Sequence, residues 1–156
     1  MSQYVKIEGD KGNTNLKLQV NGITTTAILD TGAGISIITK QTWENWGRES
    51  LVKTRMGLQL AGGEIKYSMG MLEDMNVNIC GIPFVHTFAV VDFTQETNYD
   101  VILGQPFMRQ MLLFQDWGYN RLYLCYRDSI VKINLDDHTY RDVTRMLVED
   151  FESSLV

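Results

Sequence analysis

Alternation of apolar and polar residues runs through most of the chain and predicts β-strands. Leu16, Leu18 and Val20 alternate with polar residues, and the β-branched run 23–29 follows them. The dipeptide Asn21-Gly22 between the two runs is a strong signal for a two-residue hairpin turn. The sequence therefore predicts a β-hairpin whose second strand ends at Asp30.

Further runs of the same kind predict the remainder of an all-β fold with short helices. Apolar residues on both parities of the run 82–91 predict a strand buried on both faces. A short helix is predicted after Pro106, which suits the first turn of a helix. The other predicted elements are strands at 35–39, 56–60, 65–69, 71–79, 99–103 and 129–134, a helix at 40–46 and a hairpin at 113–126.

The pattern changes at residue 136, where apolar residues begin to repeat at helical spacing. This repeat predicts an amphipathic helix capped by an aspartate and packed on its own domain. The alternatives are a docking segment or the start of a further domain. We therefore divide the chain into a domain at 1–135 and a helical extension at 136–156, on the evidence of Asp136, Asp137, Tyr140, Val143, Leu147 and Phe151.

Composition limits the class of protein. With 156 residues and 44% hydrophobic content, the chain suits one globular domain with a substantial core. A net charge of −5 and the lack of a Lys/Arg cluster argue against nucleic-acid binding by this domain. The N-terminus has neither a basic segment nor an apolar one, and no run approaches the roughly 18 apolar residues of a membrane span. We therefore expect no membrane association.

The cysteines and histidines offer no metal site. Cys80 and Cys125 are 45 positions apart with no CxxC spacing, so we expect reduced thiols in a cytoplasmic protein, with no metal and no cofactor. His86 lies in an apolar run and His138 near the predicted helix start. Both are expected to be structural rather than ligands.

The candidate chemistry lies in the stretch from Thr26 to Ile38, which reads TAILDTGAGISII. Asp30 stands between two apolar β-type runs, and Gly32 and Gly34 allow a tight turn after it. A carboxylate costs free energy in apolar surroundings, so Asp30 is the first candidate for a functional group.

Two stretches resemble the retropepsin family, the homodimeric aspartic proteases of retroviruses and LTR retrotransposons. They are Ala27–Ala33, which contains Asp-Thr-Gly, and Val101–Gly104, which is followed by a predicted helix. With Gln115-Asp116-Trp117 in a later hairpin, the order is most similar to gypsy-type retrotransposon proteases. The resemblance covers residues 15–126. It implies a retropepsin-like closed β-barrel, which is the half-domain of an acid protease.

The resemblance implies an aspartic endopeptidase that acts as a homodimer on a polypeptide, in polyprotein maturation. Two adjacent carboxyls that share one proton supply both a base for water and an acid for the carbonyl, so each subunit would contribute Asp30. Thr31 would hydrogen-bond across the twofold axis, and Gly104 would pack beneath the turn. The implied supporting residues are Thr31, Gly32, Ala33, Ile102, Leu103 and Gly104, and the implied substrate-binding flap is Ala61, Gly62, Gly63, Glu64 and Ile65.

Two positions depart from the family pattern. Many retroviral members carry an Asp and an Arg that form an ion pair where this chain has Gly34 and Gln105.

The alternative function is a non-catalytic retropepsin-fold module that dimerises or binds a peptide. A third is a protease similar to the DNA-damage-inducible family of the ubiquitin pathway, although no ubiquitin-like segment fits this length. We expect a cytoplasmic location or one within a virus-like particle.

Overall fold

In the computed structural model, which describes residues 5–6, 14–59 and 63–145, strands dominate. The first unit, Met1–Met108, and the second, Arg109–Val156, are each compact. The first contains β1 (Val5–Lys6), β2 (Thr14–Val20), β3 (Ile23–Leu29), β4 (Ile37–Thr39), α1 (Lys40–Asn45), β5 (Gly57–Gln59), β6 (Ile65–Tyr67), β7 (Gly70–Ile79), β8 (Ile82–Val91) and β9 (Val101–Leu103). Helix α2 (Gln105–Met111) follows β9, and then come β10 (Leu112–Asp116), β11 (Arg121–Tyr126), β12 (Ser129–Asn134) and β13 (Tyr140–Asp142).

Six strands of the first unit close into a barrel in the order β2-β3-β9-β4-β8-β7. The β2–β3 hairpin turns at Asn21 and Gly22, whose φ angles of 49° and 82° are those of the predicted two-residue turn. The predicted all-β fold with short helices and a closed barrel is confirmed.

Strand β9 lies between β3 and β4, although β3 and β4 are neighbours in the chain. It pairs in parallel with β3 and antiparallel with β4. The connection 30–36 must therefore cross the end of β9. That crossing places the Asp30 segment beside the residue that follows β9, Gly104.

A buried cluster of apolar side chains underlies the connection. Ala33 within the connection is fully buried and belongs to the same cluster as Leu58 of β5 and Ile102 of β9. The sequence predicted that the whole run 82–91 is buried on both faces. In the structure this holds only from Phe88 to Val91, because the first half of β8 alternates between buried residues and exposed or partly buried ones. The full members of the cluster are Ile28, Ala33, Ile37, Leu58, Met71, Ala89, Val91 and Ile102.

Residues 140–142 form strand β13, where the sequence predicted a helix from residue 136. Asp137 does not cap a helix: its Oδ1 accepts hydrogen bonds from the backbone N–H (2.9 Å) and the hydroxyl (2.6 Å) of Thr139 in a turn. The turn returns the chain to the open edge of β12, where Tyr140 pairs with Ile133. Pairing with that edge satisfies backbone groups over long range, which the helical spacing of side chains does not reveal. The remainder of the predicted helix, 146–156, lies outside the described residues, and the division at residue 135 stays a prediction.

No helix among the described residues is long and apolar enough to cross a membrane.

Candidate active site

Asp30 is the residue at which β3 ends and the crossing connection begins. Its backbone N–H donates to the carbonyl of Leu103 at 3.0 Å, which continues the β3–β9 pairing by one residue. Its carboxylate Oδ1 accepts from the Gly32 N–H at 2.9 Å. The residue is only 1% exposed in the single chain. Because a buried carboxylate needs hydrogen-bond donors, the tight turn through Gly32 is part of what makes this position tolerable.

The turn after Asp30 is closed by backbone hydrogen bonds. The Ala33 N–H donates to the Asp30 carbonyl at 3.1 Å, and the Ala33 carbonyl accepts from the Gln105 N–H at 2.7 Å. Thr31, at the outer side of the turn, is exposed in the single chain. The start of α2 thus holds the turn at Ala33, and Thr31 is exposed to solvent.

Gly104 lies directly under the connection. A Cβ atom at this position would be 2.5 Å from the Ile35 carbonyl oxygen and 2.6 Å from the Ala33 carbonyl oxygen. Both are backbone atoms, which cannot move aside as the end of a side chain can. Only glycine therefore allows the connection to lie this close to the end of β9.

Ile102 and Leu103 belong to the same support. They pair with Ile28 and Leu29 of β3, and both are buried, with exposures of 1% and 0%. The structure thus brings into one place Asp30, Thr31, Gly32, Ala33, Ile102, Leu103 and Gly104.

The predicted flap corresponds to the hairpin of β5 and β6. Gly63 has a φ of +84°, a backbone conformation typical of glycine. Among the described residues, apart from its chain neighbours, no atom lies within 4 Å of the point that a Cβ would occupy. Glu64 and Ile65 are exposed, and Glu64 lies 3.9 Å from the Lys66 ammonium. Ala61 and Gly62 lie outside the described residues. In the middle of β5, where it pairs with Lys66, Leu58 packs in the cluster that contains Ala33.

Gln105 takes part in the support that an ion pair provides in many retroviral members. Its side-chain amide donates to the Thr31 carbonyl at 3.3 Å, in addition to the bond from its backbone N–H to Ala33. Gln105 is neutral and Gly34 has no side chain to pair with, so neither position leaves a charge uncompensated.

Ser36 and His86 are supporting residues that the sequence did not identify. The Ser36 hydroxyl lies 2.8 Å from His86 Nε2 and accepts from the Gly104 N–H at 3.1 Å. A signal was present, because His86 occupies the same parity of β8 as Phe84 and Phe88 and therefore points inward. A polar side chain on a buried face requires a partner.

Asp100 is a third residue of this kind. Its Oδ2 accepts from the Thr26 N–H at 2.9 Å, and its Oδ1 accepts from the Thr42 hydroxyl at 3.3 Å. Its backbone joins the same strands, since its N–H donates to the Thr26 carbonyl and its carbonyl accepts from the Thr39 N–H. Asp100 thereby ties β3 and α1 to the start of β9.

The described residues contain no group of three or more His, Cys, Asp or Glu side chains able to hold a metal ion. A backbone N–H, that of Gly32, donates to the Asp30 carboxylate and helps to position it.

Comparison with known proteins places this geometry in a family. A solved structure, the retroviral protease-like domain of Ddi1 from Leishmania major, is similar with a TM-score of 0.56 and 25% identity, over 72% of this chain and 87% of that one. A search of curated protein sequences finds no match to the chain. The family model of the gag-polyprotein putative aspartyl protease matches residues 16–110, which include Asp30, Gly104 and the β5–β6 hairpin. The chain therefore belongs to the gag-polyprotein putative aspartyl protease family.

Proposed function

We propose that the protein is an aspartic endopeptidase that acts as a homodimer on a polypeptide, in polyprotein maturation. The observation that carries this proposal is the setting of Asp30, a carboxylate 1% exposed that is fixed by the Gly32 N–H at 2.9 Å and by backbone pairing to Leu103. A carboxylate held this rigidly at the start of a glycine turn is oriented for chemistry, because its direction is set by the backbone.

One chain supplies one such carboxylate, whereas the proposed mechanism uses two, one as the base for water and one as the acid for the carbonyl oxygen. A twofold axis beside Asp30 would bring in the Asp30 of a second copy. The exposure of Thr31 beside the buried Asp30 supports an interface at this turn, since Thr31 offers a hydroxyl to a partner. Two carboxylates about 3 Å apart hold one proton between them, because two adjacent negative charges repel.

The reaction then follows from the shared proton. The ionised Asp30 takes a proton from a water molecule as the water oxygen attacks the peptide carbonyl carbon, and the protonated Asp30 gives its proton to the carbonyl oxygen. The amide nitrogen of the resulting tetrahedral species receives a proton from the pair, and its C–N bond breaks while one of its two hydroxyl groups returns a proton to the pair and becomes the new C=O. The products are a carboxylic acid and an amine, and the pair returns to one proton.

Access to Asp30 requires movement. A substrate reaches a carboxylate that is 1% exposed only when neighbouring groups move aside. The β5–β6 hairpin suits this role because Gly63 has a positive φ and is exposed, while Leu58 anchors strand β5 in the core. Opening would admit a polypeptide and closure would exclude bulk water.

The test is cleavage of a polyprotein substrate by Asp30→Asn and, as a matched control, by Asp92→Asn. Asp92 is exposed and its carboxylate is 3.7 Å from the Lys40 ammonium, away from the turn at Asp30. We expect Asp30→Asn to lose cleavage and Asp92→Asn to keep it. Cleavage by Asp30→Asn at the parent rate would contradict the proposal.

Sedimentation over a concentration series, run beside the cleavage assay, tests the dimer. Specific activity is expected to rise with protein concentration in step with the dimer fraction. A tight dimer of the parent chain that cleaves nothing would instead favour a non-catalytic module that dimerises or binds peptide.

A further inference from the structure

The sheet of the second unit has two unlike faces. Its four strands are antiparallel in the order β10-β11-β12-β13. Alternate residues of β11 and β12 form one buried apolar face, with exposures of 5% or less at Leu122, Leu124, Val131 and Ile133. The residues between them, among which are Tyr123 and Lys132, point to the opposite face and are only partly buried. That opposite face has no role in the proposed proteolysis.

One cross-strand row on this second face joins two aromatic rings to two cations. Phe114 pairs with Tyr123, Tyr123 pairs with Lys132, and Lys132 pairs with Arg141, so the row crosses all four strands. The rings of Phe114 and Tyr123 are stacked, with centroids 4.2 Å apart and an angle of 18° between their planes. Phe114 is nevertheless 45% exposed. Because neighbouring strands are about 4.8 Å apart, the stacked rings of Phe114 and Tyr123 lie directly beside the cations of Lys132 and Arg141.

A third cation adjoins the row. Arg121 is two residues from Tyr123 on β11 and so shares its face, and the Arg121 guanidinium is 5.1 Å from the centroid of the Tyr119 ring. Desolvation lowers the pKa of the Lys132 ammonium, and so do the charges of Arg121 and Arg141. None of the three cations forms an ion pair with a carboxylate of the described residues. The three positive charges thus repel one another, and an anion placed among them would relieve that repulsion.

A solvent-open depression lies at these cations. Its volume is about 340 Å³, and its lining is Arg121, Lys132, Asn134, Thr139, Tyr140 and Arg141. A space of this size accommodates a phosphate group with its attached sugar. An anion bound in the depression would therefore lie next to all three positive charges.

We propose that this face of the second unit binds single-stranded nucleic acid. The phosphates lie among Arg121, Lys132 and Arg141, and a base stacks on the exposed ring of Phe114. The aromatic pair decides the ligand class, because an acidic polypeptide would use the cations but would gain nothing specific from a flat π surface, whereas every base has one. This proposal departs from the expectation of no nucleic-acid binding, which rested on the net charge of −5 of the whole chain and on the lack of a Lys/Arg cluster along the sequence. Arg121, Lys132 and Arg141 are far apart in the sequence and become neighbours only through the pairing of β11, β12 and β13, so the site is local.

The experiment measures fluorescence anisotropy of a labelled oligouridylate, about 12 nucleotides long, with the full chain. With three phosphate contacts, log K is expected to fall against log salt with a slope of about −2, so affinity falls about 20-fold between about 50 and 200 mM salt. Lys132→Gln and Arg141→Gln are each expected to weaken binding and to reduce the slope by about 0.7. Phe114→Ala is expected to weaken binding about tenfold without a change of slope, since it removes stacking and no charge.

Two controls make the test specific. Arg127→Gln removes an exposed cation at the β11–β12 turn, and Tyr67→Ala removes an exposed ring of an aromatic–cation pair in the first unit. Neither is expected to change binding. The proposal is overturned if oligouridylate does not bind, if the controls weaken binding as much as Lys132→Gln does, or if a polyglutamate of equal charge binds as well and Phe114→Ala has no effect. Circular dichroism of each variant confirms the fold, and the two Gln variants test the site independently of Phe114.

Discussion

The Ser36 hydroxyl oxygen lies 2.8 Å from Nε2 of His86, and both side chains are buried. A hydroxyl has one proton and two lone pairs, so Ser36 serves His86 and the Gly104 N–H at the same time. Ser36 belongs to the connection that begins at Asp30, and Gly104 lies beneath it. The imidazole of His86, enclosed by Phe84, Phe88 and Phe107, thus holds the connection against the end of β9.

His86→Leu is expected to lower the free energy of unfolding by about 2 kcal/mol, because it leaves the buried Ser36 hydroxyl without this partner. Urea denaturation measures the change. Val85→Thr is the matched control on the same strand, since Val85 is 47% exposed, and we expect a change within about 0.5 kcal/mol. Equal losses in the two variants would contradict a specific role of the Ser36–His86 contact.

Gly104→Ala is expected to lower stability by about 3 kcal/mol, because the added Cβ would overlap the carbonyl oxygens of Ile35 and Ala33. The thermal midpoint and urea denaturation report the loss. Gly118→Ala is the control, since the nearest atom to its added Cβ would be Asp116 Oδ1 at an ordinary 3.5 Å. If Gly104→Ala were as stable as Gly118→Ala, the connection would not lie as close to β9 as the structure has it.

Asp100→Ala is expected to lower the free energy of unfolding by about 2 kcal/mol. The substitution removes an acceptor of the Thr26 N–H and of the Thr42 hydroxyl. The Thr42 hydroxyl keeps a contact of 2.7 Å with the Thr39 hydroxyl, so most of the loss comes from the Thr26 N–H. Asp92→Ala, which loses only the ion pair with Lys40 at 3.7 Å, is expected to change stability by about 0.5 kcal/mol or less. A loss for Asp92→Ala equal to that for Asp100→Ala would refute the bridging role of Asp100.

Cys80 is expected to react slowly with thiol reagents, since burial raises the pKa of its thiol to about 11. The reactive species is the thiolate, which at pH 8 is about one thousandth of such a thiol. In Cys125→Ser, which leaves Cys80 as the one remaining cysteine, iodoacetamide alkylation should accelerate about tenfold per pH unit from pH 8 to 10. Mass spectrometry follows the reaction, and the same chain unfolded in urea is the control that should react faster. A rate independent of pH in the folded chain would contradict the raised pKa.

The same thiol makes stability depend on pH in the alkaline range. The unfolded thiol loses its proton near pH 9, whereas the folded thiol keeps it to about pH 11. The unfolded state therefore binds fewer protons in this interval, and stability that is fully present below pH 9 falls as pH rises from 9 to 11. Denaturation of Cys80→Ser beside the parent chain at both ends of the interval isolates this contribution, and an identical pH slope in both would exclude it.

Local signals in the sequence predicted most of the elements, although not β13. Asn21-Gly22 requires positive φ at two successive residues and thereby fixes the β2–β3 hairpin, and the alternation of Leu16, Leu18 and Val20 fixes which side faces the core. The Asp-Thr-Gly turn and the Ile-Leu-Gly strand end also followed from the residues, because short-range sterics give glycine and β-branched residues their places. The resemblance that these features carry implied the closed barrel and the candidate residues around Asp30.

Only the tertiary structure determined which residues that are distant in the sequence become neighbours. Insertion of β9 between β3 and β4 places Gly104 against Ala33 and joins Ser36 to His86 across 50 positions, and no local propensity encodes such a pairing. The same cause explains β13, where the open edge of β12 offered hydrogen bonds to residues 140–142 whose spacing was helical. The sequence by itself identified Asp30 as a candidate functional group between two apolar runs. It also predicted the tight turn after Asp30, because steric rules that act within a few residues favour glycine there. The fold determined the support of that turn, because hydrogen bonds and packing between distant strands depend on which strands become neighbours.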